Sequence, residues 1–311
     1  MTGTTNAVHI VDYGGPEVMR FGPLPRPVPA GDEVLIRFRA GGVNPVDWKT
    51  REGARRARMP LTMPAILGCD VAGEVLELGP GATGFAPGDA VYAMRGLNGA
   101  FGEVVAVKAA HVAPRPATLD AVTAAAVPLA ALTAWQALEL MGLAAGARVL
   151  VHAGAGGVGG FAVQFARARG LEVVATASGA NAAYVRGLGA SRVVDHRAER
   201  FEDALSGMDG VFDLLGGDTQ ARSWGVLKPD GVLITSVALP EEDHPARAGR
   251  RAARVGVTAN GAQLREIGRL IDAGEVRVEV AATYPLSEAP TALERSKEGH
   301  TRGKIVLVAA D

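Results

Sequence analysis

The chain has 311 residues, with 32 basic and 33 acidic side chains and a formal net charge of −1. Such a balance supplies no broad positive field, and the sequence lacks a basic surface interleaved with aromatic residues, so we expect no nucleic-acid partner. Cys69 is the single cysteine, which excludes an internal disulfide and every multi-cysteine metal site. The length and the 48% hydrophobic content are typical of about two globular domains.

The N-terminal segment MTGTTNAVHIVDYGG has no basic run followed by an apolar one, so it does not resemble a secretory signal. The uncharged segment 121–138 is mostly alanine and contains Pro128, which predicts buried, interrupted helical structure rather than a membrane span. We expect a cytoplasmic protein that does not enter a membrane.

Residues 1–118 are predicted to form a compact β-rich domain. Short runs of branched side chains, separated by Gly and Pro turns, occur at EVLIRFRA, VAGEVLEL, AVYAM and EVVAVKAAHVA. The pattern then becomes helical, with Thr118 as a candidate N-cap and two helical pieces flanking Pro128.

Residues 119–260 alternate between strands and helices. The predicted strands are RVLVHA, EVVATAS, RVVDH, GVFDLL, GVLITSV and ARVGVTA. Apolar strands alternating with helices indicate a parallel sheet covered on both faces, and six strands fit a doubly wound nucleotide-binding α/β fold. Residues 261–311 add a helix and a final strand, KIVLVA, that resembles the first part. We therefore expect the β-rich domain to be split in sequence.

Two patterns of the form Gly-x-Gly-x-x-Gly compete as the phosphate-binding loop. Such a loop needs a strand before it and a helix after it, because the helix N-terminal amides then face the pyrophosphate. The pattern at Gly79 is followed by Pro87 and another strand, which indicates a turn. The pattern formed by Gly154, Gly156 and Gly159 lies between a strand and an amphipathic helix, so we interpret this copy as the binding loop. His152, inside the preceding strand, is predicted to be a hydrogen-bonded core residue.

The end of the second predicted strand of residues 119–260 indicates which cofactor is bound. An acidic residue about 20 positions beyond the glycine loop would hold the ribose 2′-hydroxyl of NAD. EVVATASGAN has no carboxylate at its end, whereas Ser178 and Asn181 can donate hydrogen bonds to a 2′-phosphate. This favours NADPH. The nearest basic candidates for that phosphate are Arg186 and His196.

Seven segments occur in an order found in a known family: AGGVNPVDWKTREG, ILGCDVAGEV, PGDAVYA, LTAWQAL, HAGAGGVGGFAVQFAR, GLGASRVVDHR and GHTRGKIVL. Together they cover essentially the whole chain and resemble the zinc-independent quinone oxidoreductase branch of the medium-chain dehydrogenase/reductase superfamily. The resemblance implies a Rossmann domain (119–260) inserted in a GroES-like catalytic domain (1–118 and 261–311), and a homodimer.

The same resemblance implies the roles of individual residues. Asn44 would hydrogen-bond near the nicotinamide and its ribose, Thr133 would assist it, and Lys49 would stabilise a developing oxyanion and relay a proton. The structural alternatives are that Asn44 is a turn residue before Pro45 and that Lys49 is a solvated surface lysine. Asp47 either positions Lys49 or caps a helix. The expected cofactor contacts besides Asn44 and Thr133 are Gly154, Gly156, Gly157, Val158, Ser178, Asn181 and His196.

Two departures from the family pattern affect the 2′-phosphate contacts. His196 stands where many relatives have a tyrosine, and Ala180 where relatives often have Lys or Arg. Zinc-dependent relatives place a cysteine near Asn44 and a His-Glu pair near Cys69 and Asp70, and these ligands are missing here. We expect no metal, which disfavours alcohol oxidation because no Lewis acid is supplied.

The expected function is reduction of a small, electron-poor acceptor by NADPH, with a quinone as the leading acceptor. The first alternative is reduction of the C=C bond of an enone, enal or enoyl thioester. The second, of another class, is a non-catalytic NADPH-binding or RNA-binding protein. The segment 239–252 is a candidate substrate loop.

Overall fold

The computed structural model describes residues 3–239, 247 and 249–310. Its strands are β1 (Thr4–Ile10), β2 (Met19–Pro25), β3 (Glu33–Gly42), β4 (Ala65–Ile66), β5 (Asp70–Leu78), β6 (Ala90–Met94), β7 (Val104–Lys108), β8 (Val112–Pro114), β9 (Arg148–Val151), β10 (Glu172–Ala177), β11 (Arg192–Asp195), β12 (Met208–Asp213), β13 (Leu227–Thr235), β14 (Arg251–Arg254), β15 (Val280–Pro285) and β16 (Lys304–Val308). Its helices are α1 (Pro45–Arg51), α2 (Ala121–Ala125), α3 (Pro128–Met141), α4 (Gly157–Ala168), α5 (Ala182–Leu188), α6 (Phe201–Ala204), α7 (Gly217–Ser223), α8 (Gly261–Asp272) and α9 (Ala289–Glu298).

The first of two compact units comprises the chain up to Leu132, Thr258–Gly274 and the residues from Val278 onward. Its larger sheet has the strand order β15-β16-β3-β5-β6-β8, with β7 also pairing with β3, and a smaller sheet has the order β2-β1-β4. Strand β16 pairs antiparallel with β3. The C-terminal strand therefore lies in one sheet with the first part of the chain, as its sequence predicts.

The core of the first unit follows the period-two pattern of its strands. Along β3, Val34, Ile36 and Phe38 are buried and Arg37 and Arg39 are exposed, although Leu35, at an alternate position, is also buried. The three apolar side chains pack in one cluster with residues of β5, β6 and β16. A sheet with one buried and one partly solvated face is typical of antiparallel strands.

The second unit comprises Thr133–Val257 and Glu275–Arg277. It contains one six-stranded sheet, in the order β11-β10-β9-β12-β13-β14, with every pair parallel. This is the 3-2-1-4-5-6 order of a doubly wound dinucleotide-binding fold, so the prediction of a six-stranded parallel sheet is confirmed, although its sixth strand lies earlier than most of the predicted segment ARVGVTA. The order reverses between β9 and β12, and ligands of such sheets bind beyond the carboxyl ends of the strands at this point.

The predicted N-cap at Thr118 is wrong. Asp120 caps α2 instead, its carboxylate accepting a hydrogen bond from the backbone N–H of Thr123 at 2.7 Å. The Thr118 hydroxyl and backbone N–H both donate to the carboxylate of Asp272, at 2.8 and 3.0 Å. Thr118 is therefore occupied by a contact with α8, which is distant in sequence and which a local capping rule does not consider.

The two units divide inside α3, at Leu132 and Thr133, and again at Val257 and Thr258. The domain boundaries at 118/119 and 260/261 stay a prediction, and the division seen here leaves α2 in the first unit, packed against β3, β5 and β6. Pro128 is the first residue of α3, where its missing N–H costs nothing. No helix within the described ranges is long and apolar enough to cross a membrane. Residues 240–246 and 248 of the candidate substrate loop lie outside the described residues.

Candidate cofactor and active site

Three glycines of the loop between β9 and α4 have different local surroundings. A Cβ on Gly159 would lie 2.2 Å from the carbonyl oxygen of Ala153, and one on Gly154 would lie 2.9 Å from the Cβ of Ala175. These two glycines therefore allow the helix and the sheet to approach closely. A Cβ on Gly156 would meet only the Ala153 oxygen, at 3.3 Å, so the side of Gly156 that lacks a side chain is otherwise open.

The loop fits a pyrophosphate. Helix α4 begins at Gly157, so Gly157 and Val158 lie in its first turn. Backbone N–H groups of a first helical turn have no intrahelical acceptors, and the helix dipole adds partial positive charge there. Together with the open side of Gly156, this is a cradle that an anionic dinucleotide can approach. The turn at Gly79 leads into β6 without a helix, as predicted.

The parallel sheet brings together the three residues predicted for the 2′-phosphate. The backbone N–H of His196 donates to the carbonyl of Ala177 at 3.1 Å, which holds His196 beside the end of β10. Asn181 Nδ2 donates to Ser178 Oγ at 3.2 Å, so these two predicted donors contact each other. His196 is exposed, while Ser178 and Asn181 are half-buried.

A carboxylate that sequence reasoning missed lies beside this loop. Asp195 pairs with Ala177 in the parallel register of β11 and β10. Its Oδ2 is 2.5 Å from the point that a Cβ on Gly179 would occupy, and its Oδ1 accepts from the Arg197 N–H at 3.0 Å. The carboxylate therefore comes from the third strand rather than from the end of β10, and only the strand register could have indicated it.

Two further buried polar groups hold the ends of β9 and β12, next to the point where the strand order reverses. The Asp213 carboxylate accepts hydrogen bonds from the backbone N–H groups of Leu215 and Gly216 and from the side chains of Gln220 and Thr235. His152 contacts Thr176 Oγ1 at 3.1 Å and Ser223 Oγ at 2.9 Å, so its predicted core role is confirmed. Sequence reasoning did not identify Asp213.

Asn44 lies at the N-terminus of α1 and is 1% exposed. Its Nδ2 donates to Asp70 Oδ2 at 2.9 Å and to the carbonyl of Gly42 at 3.1 Å, while its Oδ1 accepts from Lys304 Nζ. Both amide hydrogens thus have internal acceptors. In the capping box of α1 the Asn44 side chain also faces the backbone N–H of Asp47, so a further donor at Asn44 Oδ1 would share this oxygen with Lys304 and that N–H.

Asp47 caps α1, and capping a helix is one of the two roles predicted for it. Its Oδ2 accepts from the backbone N–H of Asn44 at 2.7 Å, and its Oδ1 accepts from the Cys69 thiol at 3.4 Å. Burial raises the pKa of Asp47 to about 7 and that of Asp70 to about 6, the latter against the opposing charge of Lys304. Burial also raises the pKa of Cys69 and lowers that of Lys304.

The other predicted site residues occupy different surroundings. Lys49 is exposed on α1, with Nζ 5.3 Å from the centre of the Trp48 ring. Thr133 is buried in α3 and belongs to the second unit, together with the glycine loop. Within the described part of the chain, no group of three or more His, Cys, Asp or Glu side chains could hold a metal ion. Lys304 was not predicted as a site residue, because a lysine at the start of an apolar strand such as KIVLV ordinarily indicates exposure.

Comparison with known sequences matches both units to domain families. Residues 30–117 match the alcohol dehydrogenase GroES-like domain, and residues 188–307 match the zinc-binding dehydrogenase domain. The NAD(P)H oxidoreductase RTN4IP1, mitochondrial, from Danio rerio is 33% identical over 344 residues, which cover 95% of this chain and 89% of that protein. The NADPH-dependent alkenal/one oxidoreductase, chloroplastic, from Arabidopsis thaliana is 33% identical, with 95% and 77% covered.

Solved structures of oxidoreductases are also similar to this chain along its length. The quinone oxidoreductase from Coxiella burnetii superposes with a TM-score of 0.89 at 32% identity, covering 99% of this chain and all of that one.

Proposed function

The chain belongs to the quinone oxidoreductase branch of the medium-chain dehydrogenase/reductase superfamily and is an oxidoreductase, and we propose that it is an NADPH-dependent quinone reductase. The observation that carries the proposal is the glycine loop between β9 and α4, placed at the reversal point of a 3-2-1-4-5-6 sheet. The similarity to quinone oxidoreductases and their homologues supports the choice of acceptor.

The chain contributes binding and orientation to this reaction. Gly156, Gly157 and Val158 would hold the pyrophosphate through backbone N–H groups, and Ser178 and Asn181 would hold the 2′-phosphate. NADPH, when bound, supplies a hydride. Reduction of a quinone to a hydroquinone takes up that hydride and one proton.

Residues of α1 would act on the acceptor side. The Lys49 ammonium is exposed, so it can approach an oxyanion that develops on the acceptor and donate the required proton. Asn44 would orient the nicotinamide end of the cofactor through its Oδ1. We further propose a homodimer and a cytoplasmic location, which sedimentation and localisation of the tagged protein test.

Steady-state kinetics with a soluble 1,4-quinone tests the proposal. We expect oxidation of NADPH at 340 nm that depends on both enzyme and quinone, and faster turnover with NADPH than with NADH. Oxidation no faster than the enzyme-free blank across a series of quinones would refute quinone reduction.

A second candidate is reduction of the C=C bond of an enone, enal or enoyl thioester. The observation that favours it is the exposed Lys49 cation in the first unit, together with the similarity to an alkenal/one oxidoreductase. We expect Lys49→Ala to lower kcat on an active enone about 10²-fold, the lower range of general-acid contributions, and to change KM little. The matched control is Lys108→Ala, an exposed lysine at the end of β7. An unchanged kcat for Lys49→Ala would remove Lys49 from the mechanism.

The third hypothesis, a non-catalytic NADPH-binding or RNA-binding protein, is not carried further, because the family to which the chain belongs is one of oxidoreductases.

A further inference from the structure

Five polar side chains form a buried polar cluster inside the first unit, and the proposed mechanism uses only one of them. Each is at most 6% exposed. The members are Asn44, Asp47, Cys69, Asp70 and Lys304. They come from α1, from β5 and the residue before it, and from β16, so the sheet of the first unit assembles them from three distant parts of the chain.

Lys304 is joined to this cluster in an unusual way. Its Nζ donates to the carbonyl of Val43 at 2.6 Å and to Asn44 Oδ1. Among the described residues it makes no ion pair within 4.0 Å, although two carboxylates are nearby. The Asn44 amide lies between the ammonium and the Asp70 carboxylate, accepting from Lys304 at one end and donating to Asp70 at the other.

This arrangement fixes which way the Asn44 amide points. An ammonium can only donate hydrogen bonds, so the atom facing Lys304 must be the amide oxygen. An ionised carboxylate can only accept, so the atom facing Asp70 must be the amide nitrogen. A rotation of the amide by 180° would place two donors against each other and two acceptors against each other, which leaves buried polar groups unsatisfied.

We propose that Lys304 is a positioning residue that acts through Asn44. It holds the amide so that Asn44 offers a hydrogen-bond acceptor, and no donor, to the bound cofactor. The cofactor group that Asn44 takes is accordingly a donor, of the class of a ribose hydroxyl or a carboxamide N–H. This inference assumes the proposed function in one respect, namely that Asn44 contacts the nicotinamide half of the cofactor.

A purely structural role predicts a different outcome for the loss of Lys304. Removing one member of a buried charged group usually destabilises the fold, because the opposing charge is left buried, so a purely structural role predicts a lower free energy of unfolding with the Kd and kcat of the folded protein unchanged. Methionine has a similar unbranched length but no donor, so Lys304→Met removes the bond to Asn44 Oδ1 while filling most of the same volume. A positioning role predicts loss of cofactor binding and turnover with the fold retained.

The test is a double-mutant cycle in the full-length protein, made of Lys304→Met, Asn44→Ala and the double variant. The readouts are the Kd of NADPH from the fluorescence of the bound nicotinamide, kcat with a quinone, and circular dichroism to verify the fold. We expect Lys304→Met to lower kcat roughly 10-fold or more and to weaken NADPH binding several-fold, as a small misplacement of an orienting group does. In the Asn44→Ala background the same substitution should change either quantity less than about twofold.

Two further variants bracket this result. Lys304→Arg keeps a donor-only cation and should recover most of the binding and turnover lost in Lys304→Met. Lys228→Met removes a lysine that pairs with Asp209 in the second unit, and should leave both readouts unchanged. If Lys304→Met does not fold, Lys304→Gln replaces it, because a glutamine amide fills the site but no longer forces the Asn44 orientation.

Retained Kd and kcat in Lys304→Met, or equal losses from it with and without Asn44, would overturn the inference. Failure of the proposed function can be distinguished from failure of the inference about Lys304. A wild-type chain that binds NADPH but does not reduce quinones refutes quinone reduction, while the Kd values of the cycle still test Lys304. A chain that does not bind NADPH refutes both.

Discussion

His152 shows how the second unit uses a buried histidine without charging it. The ring lies between two hydroxyl groups, Thr176 Oγ1 and Ser223 Oγ, and stacks edge-to-face on Phe201 at 4.7 Å between ring centres. Burial lowers the pKa of His152 to about 4. The neutral imidazole can satisfy both hydroxyls, and the protonated form would leave a charge without solvent.

The lowered pKa of His152 gives a pH dependence of stability. Between pH 4 and 6.5 the unfolded chain holds a proton on this ring and the folded chain does not, so the free energy of unfolding falls as the pH falls. From pH 7 to pH 4.5 the free energy of unfolding of wild type should fall. We expect the fall to be smaller in His152→Gln by about 2 to 3 kcal/mol, measured by denaturant unfolding. The contribution of Asp47, whose pKa is raised, has the opposite sign and is common to both proteins. Parallel pH curves would contradict the prediction.

The Asp195 carboxylate bears on the choice between NADPH and NADH. It lies beside the loop of Ser178 and Asn181, where a negative charge opposes a 2′-phosphate. We expect Asp195→Asn to raise the ratio of kcat/KM for NADPH over NADH about threefold to tenfold. Glu199→Gln, an exposed acid farther along the same segment, is the control. An unchanged ratio in Asp195→Asn would show that its carboxylate does not face the 2′ position.

At the junction of β9 and α4, two glycines have different structural roles. Gly159 allows the backbone of the helix to approach the carbonyl of Ala153, whereas Gly156 leaves space beside the helix N-terminus. Ala153 itself has a φ of +52°, a left-handed conformation that side chains rarely adopt. The tight turn is therefore held by packing on both sides of it.

Alanine substitution distinguishes the two glycines. Gly159→Ala places a Cβ against a backbone oxygen, so we expect a loss of stability of about 1 to 3 kcal/mol, measured by denaturant unfolding. Gly156→Ala has an ordinary φ of −76° and should change stability by less than about 0.5 kcal/mol. Its Cβ should instead weaken NADPH binding about 10-fold, seen by fluorescence titration. Equal effects of both variants on both readouts would contradict this division.

The parallel sheet and its glycine loop could be predicted because their signals are local. Continuous apolar runs, a strand before the loop and a helix after it are all visible within a short stretch around Gly154. The position of Asp195 could not, because it depends on the register between β10 and β11. The N-cap prediction for Thr118 is wrong for the same reason, because its partner Asp272 lies 154 positions away.

The buried polar cluster was also beyond sequence reasoning. Asn44 and Asp47 were singled out through the motif NPVDWK, but their partners lie on β5 and β16. A lysine at the edge of an apolar strand ordinarily indicates exposure, whereas Lys304 is 6% exposed. Charge that is buried through tertiary contacts leaves no periodic pattern in the chain, so only the fold reveals it.

The first unit is discontinuous in sequence and the second is nearly continuous. The last strand, β16, lies between β15 and β3 in the larger sheet. Its residues Ile305, Val306 and Leu307 are all buried. A central strand of this kind is an integral part of the sheet, unlike an edge strand, which can fray.

Removal of β16 should therefore unfold the first unit selectively. Truncation after Gly303 loses three buried aliphatic side chains, about 5 to 9 kcal/mol of burial, which is comparable to the stability of a typical domain. We expect limited proteolysis of the truncated chain to degrade the first unit and to leave a fragment near residues 133–257. Truncation after Val308, which keeps the strand, is the control. Uniform resistance of the truncated chain would contradict the prediction.

The same central strand determines when the cluster can be completed during translation. Asn44 and Lys304 are separated by 260 positions, so Asn44, Asp47 and Asp70 emerge from the ribosome long before the ammonium that neutralises part of their surroundings. The second unit has its whole parallel sheet available earlier and can form first, since domains generally fold as units during synthesis. A nascent chain would thus carry a folded second unit and an incomplete first-unit sheet that contains buried carboxylates. For that interval the first unit is the part most exposed to chaperones and proteases.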